Sequence, residues 1–202
     1  MISNVKLGGQ VTPVKFRSMA PLAWRVRNAI RFQFWGWWLA TQAALLLSAL
    51  TGIPTITAKL YILVRRADGR WVDYGTVGYK VVTTAFVNYM VDQLQTETST
   101  WGDFKFHDSG VGTTAAAVGD TDIETTDGES RATGTQTEGA SANIYRSVGT
   151  ISYTTTKAIT EHGLFNAATA GTLLDRHVFS AINVVNGDSV QFTFDFTVSS
   201  GG

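Results

Sequence analysis

The residues best suited to chemistry are the neighbours Glu161 and His162, a carboxylate and an imidazole of the kinds that act as general acids and bases. No nucleophile or second carboxylate lies near them in the sequence, as catalysis would require. Arg176, on the next predicted strand, is expected to pair with Glu161 across the strands and fix their register. Such a pair contributes under about 1 kcal/mol if it is exposed. The chain is therefore predicted not to be an enzyme.

Metal and cofactor sites are not predicted either. The histidines His107, His162 and His177 do not follow a metal-ligand spacing, and the chain has no cysteine. Gly110-Val-Gly112 lacks the lysine that a phosphate-binding loop requires. One acidic stretch has carboxylates that could bind calcium, but its spacing fits an ordinary acidic loop better. Its members are Asp120, Asp122, Glu124 and Asp127.

Formal charge is distributed unevenly along the chain, although the net charge is zero. The residues before Asp68 include nine basic and no acidic side chains, whereas the remainder has seven basic and sixteen acidic ones, a balance of −9. A basic head on an acidic body indicates that the head meets an acidic surface. The acidic body of a neighbouring copy is the favoured surface, with nucleic acid and anionic lipid as alternatives.

Alternating apolar and polar residues predict that most of the chain folds as antiparallel strands. The clearest run is Ser189–Ser199, where one face is apolar throughout and is expected to line a sandwich core: Val190, Phe192, Phe194, Phe196 and Val198. Further strands are predicted at Thr55–Arg66, Trp71–Tyr74, Val77–Val82, Arg131–Gln136, Asn143–Tyr153, Ala158–Phe165 and Thr172–Ser180. Asn186-Gly-Asp188 predicts a primed hairpin turn. The fold class is mainly β, an antiparallel sandwich or jelly-roll-like body over residues 53–202, with a loop-rich region near 109–143.

Two helices are expected beside the strands. One is short and amphipathic, begins at Thr83 or Thr84 and ends at Gln95, with an apolar stripe of Phe86, Val87, Met90, Val91 and Leu94. The other follows a basic arm within residues 1–52 and contains no charged residue from Phe32 to Leu50. We interpret this second helix as buried in protein or at an interface, with a membrane segment as the alternative. Its candidate anchor residues are Arg25, Arg27, Arg31, Phe34, Trp35, Trp37, Trp38 and Leu46.

Several segments resemble a module of tailed-bacteriophage virion proteins. They are His107-Asp-Ser-Gly-Val-Gly-Thr-Thr-Ala115, Ala158-Ile-Thr-Glu-His-Gly-Leu-Phe165, Leu174-Asp-Arg176 and Ile182-Asn-Val-Val-Asn-Gly-Asp188. The Ile-Thr-Glu-x-Gly-Leu-Phe segment is similar to sandwich elements of tail-fibre and collar proteins. The resemblance covers about half of the chain, from Trp101 to the C-terminus, and does not include the tryptophan-rich helix.

The resemblance implies a non-enzymatic structural component of a virion. An auxiliary capsid protein of the decoration, cement or head-fibre type is favoured, because the chain has one module and no long fibrous shaft. A tail or collar protein is the first alternative, and a membrane-anchored surface binding module is the second. The expected partners are other copies of the chain and other virion proteins such as the major capsid protein. Membrane contact through residues 32–50 is the alternative contact, and nucleic acid is not expected as a partner.

Overall fold

The part of the chain that the structure describes forms two antiparallel five-stranded sheets and two helices. The computed structural model describes residues 32–79, 81–95, 101 and 103–200. The helices are α1 (Phe32–Thr51) and α2 (Thr84–Gln95). The strands are β1 (Thr55–Arg65), β2 (Trp71–Tyr79), β3 (Val81–Val82), β4 (Phe106–Gly110), β5 (Ala132–Thr133), β6 (Thr135–Glu138), β7 (Ile144–Ser152), β8 (Lys157–Phe165), β9 (Leu173–Val184) and β10 (Ser189–Ser199).

The two sheets enclose the apolar core between them. The first sheet has the order β2-β1-β10-β7-β6 and the second has the order β3-β9-β8-β4-β5. The main core cluster takes side chains from both, including Leu60 and Phe192 from the first sheet and Ile159 and Ile182 from the second. The predicted fold class, a mainly β antiparallel sandwich, is confirmed.

Strand β10 lies between β1 and β7, and its apolar face fills the middle of the sandwich. Four of its five predicted core residues are buried: Val190, Phe192, Phe194 and Phe196. The prediction is wrong for Val198, which is 43% exposed. Val198 lies opposite Ile56 of β1, which is also exposed, because this end of the sheet extends past the core. On the polar face, Asp195 is buried and pairs with Arg146 through two hydrogen bonds of 2.6 and 2.8 Å.

Helix α2 closes one end of the core. The Thr83 hydroxyl caps it by accepting a hydrogen bond from the backbone N–H of Phe86 at 3.1 Å. The ring of Phe86 packs edge-on against Phe104 and Phe196, with centroids 5.1 and 5.5 Å away. Packing therefore buries only part of the predicted apolar stripe, and the remaining side chains stay exposed: Val87, Val91 and Leu94.

Three predictions of local connectivity are wrong. The predicted strand Arg131–Gln136 is divided between β5 in the second sheet and β6 in the first. Val77 belongs to β2, whereas Val81 and Val82 form a short strand in the second sheet. The Asn186–Asp188 turn does not close a hairpin, because β9 and β10 lie in different sheets. A type I′ hairpin turn requires positive φ at both central residues, and here Gly187 has a φ of 88° while Asn186 is not in that region. The turn therefore carries the chain from one sheet to the other.

Candidate functional site

Glu161 of β8 is fully buried and is the centre of a polar cluster. Its Oε1 accepts hydrogen bonds from the backbone N–H groups of Gly112 and Thr125 at 2.8 and 2.9 Å. Its Oε2 accepts from the backbone N–H of Glu124 at 2.9 Å and from Nε of Arg176 at 2.7 Å. Four donors therefore compensate a carboxylate that has left water.

Arg176 of β9 is 3% exposed and joins Glu161 to the loop that follows β4. Its guanidinium donates to Asp120 Oδ2 at 3.0 Å, to the Thr114 carbonyl at 3.2 Å and to Glu124 Oε2 at 3.3 Å. We refer to Glu161, Arg176 and loop residues 110–125 as the polar clip. The clip ties an irregular loop to the second sheet through charge-assisted hydrogen bonds.

The structure brings Glu161 and Arg176 together, but in a setting other than the exposed cross-strand pair. Glu161 lies opposite Val178 in the sheet register, and Arg176 lies opposite Gly163. The contact is therefore diagonal, and both side chains are buried. Because removing one partner of a buried pair leaves the other charge uncompensated, the penalty is several kcal/mol, well above that for an exposed pair.

The glycines of the Gly110-Val-Gly112 segment provide space for this carboxylate. A Cβ atom at Gly110 would lie 2.5 Å from Oε1 of Glu161, and one at Gly112 would lie 2.4 Å from it. A Cβ atom at Gly112 would also lie 2.6 Å from Cβ of Glu124. The two glycines allow the loop backbone to approach Glu161, a role unrelated to phosphate binding.

The carboxylates of the predicted acidic loop face different partners. Asp120 accepts from Arg176, Asp122 lies 3.4 Å from Arg131, and Asp127 accepts from the Ser109 hydroxyl. Glu124 accepts from both the hydroxyl and the backbone N–H of Thr114, and these bonds hold the pKa of its carboxyl below the ordinary value. Within residues 32–79, 81–95, 101 and 103–200, no group of three or more His, Cys, Asp or Glu residues is arranged to hold a metal ion.

A second buried cluster joins Ser147, His107 and His162, which are distant in sequence. Nε2 of His107 lies 2.8 Å from the Ser147 hydroxyl, and Nδ1 of His107 lies 2.9 Å from Nε2 of His162. A serine, a histidine and a third group connected in this order resemble a nucleophile relay. All three residues are fully buried, and the ring of His162 packs on Phe192 at 4.5 Å. Since a substrate atom cannot reach Ser147 in this arrangement, the cluster serves packing and hydrogen bonding between the sheets.

A third polar cluster lies where β4 meets the acidic loop. The Ser109 hydroxyl is 2.5 Å from Asp127 Oδ2 and 2.9 Å from the Tyr153 hydroxyl. On the other face of β4, Arg131 donates to Asp108 at 2.9 Å. Burial raises the pKa of the Asp108 carboxyl above its ordinary value, although the Arg131 hydrogen bond opposes the shift. Burial likewise raises the pKa of the Tyr153 hydroxyl above its ordinary value.

Asp188, in the turn between the sheets, has its pKa shifted in the opposite direction to that of Asp108. Burial tends to raise the pKa of its carboxyl, but hydrogen bonds from Arg66, from the Ala67 N–H and from the Val185 N–H together hold it below the ordinary value. The Arg66 contact measures 2.8 Å and the Ala67 contact 2.7 Å. The sequence predicted the turn but not the ion pair between Asp188 and Arg66, because the two residues are 122 positions apart.

The candidate anchor residues divide into three groups. Arg25, Arg27 and Arg31 lie outside the described residues. The positions Phe34, Trp35, Trp37 and Trp38 are helical within α1, and the structure describes their backbone only. Leu46 lies later in the same helix and is 63% exposed.

The helix that carries these residues is attached to the edge of the first sheet. α1 lies beside β2 and β1 and ends at Thr51, whose hydroxyl donates to the Leu47 carbonyl at 2.7 Å. In the part of the chain that the structure describes, no helix combines the length and the apolar character needed to cross a membrane.

Comparison with known proteins gives no matching family model, no matching curated protein and no matching solved structure.

Proposed function

We propose that this chain is a non-enzymatic structural component of a tailed-phage virion. In this proposal the sandwich is a passive body that the N-terminal region fastens to the particle. An auxiliary capsid protein of the decoration, cement or head-fibre type is the favoured identity, and a tail or collar protein is the alternative. The expected partners are further copies of the chain and other virion proteins such as the major capsid protein.

The observation that carries the proposal is the contrast between α1 and the body. Helix α1 has no charged residue over its 20 residues, and it presents Leu39, Leu46 and Leu50 to solvent. Soluble proteins seldom leave large side chains grouped on one helix face unless another molecule covers them. A charge-free helix beside the edge strand of the first sheet is therefore suited to insertion between neighbouring subunits.

The interior of the body supports a role without chemistry. The buried Glu161 and Arg176 bind each other and loop groups in the polar clip. The buried Ser147, His107 and His162 have hydrogen-bond geometry but no exposure to solvent. These groups hold loops and sheets together and give the body rigidity. The sequence resemblance to virion modules is the reason for proposing that this structural role is in a phage particle.

The test is to locate the chain on purified particles. Antibodies against the sandwich should label the capsid surface in electron micrographs, and mass spectrometry of banded particles should detect the chain in many copies. Labelling at the tail or collar would favour the alternative position. Absence of the chain from particles that are otherwise complete would overturn the proposal.

A matched pair of variants connects the location to α1. Leu46→Glu introduces a charge on the exposed face of α1, and Leu94→Glu introduces the same charge on the exposed face of α2. We expect the first variant to be lost from particles and the second to be retained. If particles retain both variants equally, α1 is not part of the attachment site.

A further inference from the structure

Helix α1 has two faces with opposite environments. Thr41, Ala44 and Leu45 are half-buried on one side of the helix, which lies beside β2 and β1 of the first sheet. Since an α-helix turns about 100° per residue, the residues on the other side lie roughly 180° away from these three. The helix thus has one half-buried face and one exposed face.

The outward face carries apolar side chains at the spacing of a helix–helix seam. Its members are Leu39, Ala43, Leu46 and Leu50, all exposed in the isolated chain. The steps of four, three and four residues repeat the a and d positions of a heptad, whose residues pack into the holes of a facing helix. The four positions fall within an arc of about 60°. This face therefore fits a second helix better than it fits a flat or irregular surface.

We infer that the outward face of α1 packs against the same face of a second copy of this chain, with the two helices antiparallel. The inference rests on the proposed assembly role of the N-terminal region and names its first partner. Two identical faces related by a two-fold axis form a closed dimer.

Charge complementarity identifies the partner and the orientation. Residues 1–31, which lead into α1, contain six basic and no acidic side chains. Residues 52–202, which follow it, contain ten basic and sixteen acidic ones, a net charge of −6. In an antiparallel pair the start of each α1, where the sequence of charge +6 is joined, lies beside the end of the partner's α1, where the acidic body begins, whereas a parallel pair would bring two such starts together. The helix dipoles also favour the antiparallel arrangement.

The seam residues pair well in this orientation. In antiparallel coiled packing an a position faces a d position, which places Leu39 against the partner's Leu50 and Ala43 against the partner's Leu46. The small Ala43 opposite a leucine allows the helices to approach closely, and each leucine is removed from water. The absence of charged residues from α1 means that no ion is desolvated when the seam closes.

The first test measures the association of purified full-length chain. Sedimentation velocity over a concentration series should show a dimer for the native sequence and for Leu94→Glu. Leu46→Glu should raise the dimer dissociation constant by roughly 100-fold or more, because each copy would bury an unpaired carboxylate. A native chain that stays monomeric throughout the series, or a Leu46→Glu variant that associates as tightly as the native chain, would overturn the inference.

A second test determines the orientation and benefits from the absence of native cysteine. Ala43→Cys and Leu46→Cys chains are prepared separately, then oxidised alone and as a mixture. Antiparallel pairing predicts disulfide-linked dimers in the mixture and few in either variant alone, because position 43 faces the partner's position 46. Efficient cross-linking of each variant with itself would indicate parallel helices and contradict the inference.

The two proposals fail in distinguishable ways. If the chain dimerises through α1 but is absent from virions, the inferred dimer stands and the proposed virion role is wrong. If the chain is located on virions but stays monomeric in solution and does not cross-link at α1, the proposed virion role stands and the inferred dimer is wrong.

Discussion

The polar clip and the outward face of α1 differ in which side chains they bury: the clip buries charged groups, whereas the outward face of α1 exposes apolar ones. In the clip, the buried charges of Glu161 and Arg176 each have several partners within the same chain. On α1, the exposed leucines Leu39, Leu46 and Leu50 have no charged neighbour within the helix and face outward. A region that satisfies its groups internally contributes to stability, whereas a region that leaves apolar groups exposed is available for assembly. Substitutions in the two regions should therefore change different properties.

The largest effect is expected from Glu161→Ala. The substitution removes the acceptor of three loop N–H groups and leaves the guanidinium of Arg176 buried next to a void. We expect the free energy of unfolding to fall by about 3–5 kcal/mol, the usual cost of breaking a buried ion pair from one side. Urea denaturation followed by circular dichroism measures the loss. Glu138→Ala, on the exposed edge strand β6, is the control and should change stability by less than about 0.5 kcal/mol.

The second effect concerns the space around the carboxylate. Gly112→Ala places a Cβ atom 2.4 Å from Oε1 of Glu161, so the loop or the carboxylate must shift. Overpacking of this kind costs about 1–3 kcal/mol. Gly119→Ala in the same loop meets no atom within 4 Å and serves as the control. Equal stability of the two variants in thermal unfolding would show that the loop is not held tightly against Glu161.

The third effect depends on pH and involves Asp188. Because the folded state holds the pKa of this carboxyl below its unfolded value, Asp188 stabilises the fold at neutral pH, and this contribution is lost as the pH falls through the acidic range. Asp188→Asn should lower the free energy of unfolding by about 1–3 kcal/mol at pH 7, since hydrogen bonds to a charged group are weakened. The difference from the native chain should shrink as the pH falls below about 4. A difference that is constant over pH 3–7 would contradict the assignment.

The smallest effect on stability is expected from Leu46→Glu on the outward face of α1. At concentrations where the native chain and the variant are both monomeric, unfolding of the sheets should change by less than about 0.5 kcal/mol, because the side chain is exposed. Denaturation of dilute samples, followed through the β-sheet signal, measures it. A loss comparable to that of Glu161→Ala would mean that this face supports the body rather than assembly, and the contrast between the two regions would no longer hold.

Local pattern was sufficient to predict the strands that have one buried and one polar face. The alternation in Thr55–Arg65 and Ser189–Ser199 predicted β1 and β10 closely, because a pleated strand turns successive side chains to opposite sides. The hydroxyl of Thr83 likewise indicated where α2 begins. The charge-free run from Phe32 to Leu50 predicted a helix, but it did not show which of the apolar side chains of that helix would stay exposed.

Contacts between distant segments were beyond reach from the sequence. The Asn186–Asp188 turn has hairpin chemistry, yet the pairing of β10 with β1 and β7 places its two strands in different sheets. The histidines His107 and His162 are far apart along the chain and meet only because β4 pairs with β8. Val198 belongs to an apolar face by alternation but lies past the end of the core.

The sequence by itself determined the mainly β class, the two helices and the separation of a basic, apolar leader from an acidic body. These depend on the periodicity of side chains and on composition, both of which are local. Only the tertiary structure decided that Glu161 and Arg176 form a buried clip around a loop and that one face of α1 stays uncovered. Burial depends on which elements pack together in space, and the free energy of a charged or apolar group depends on that burial.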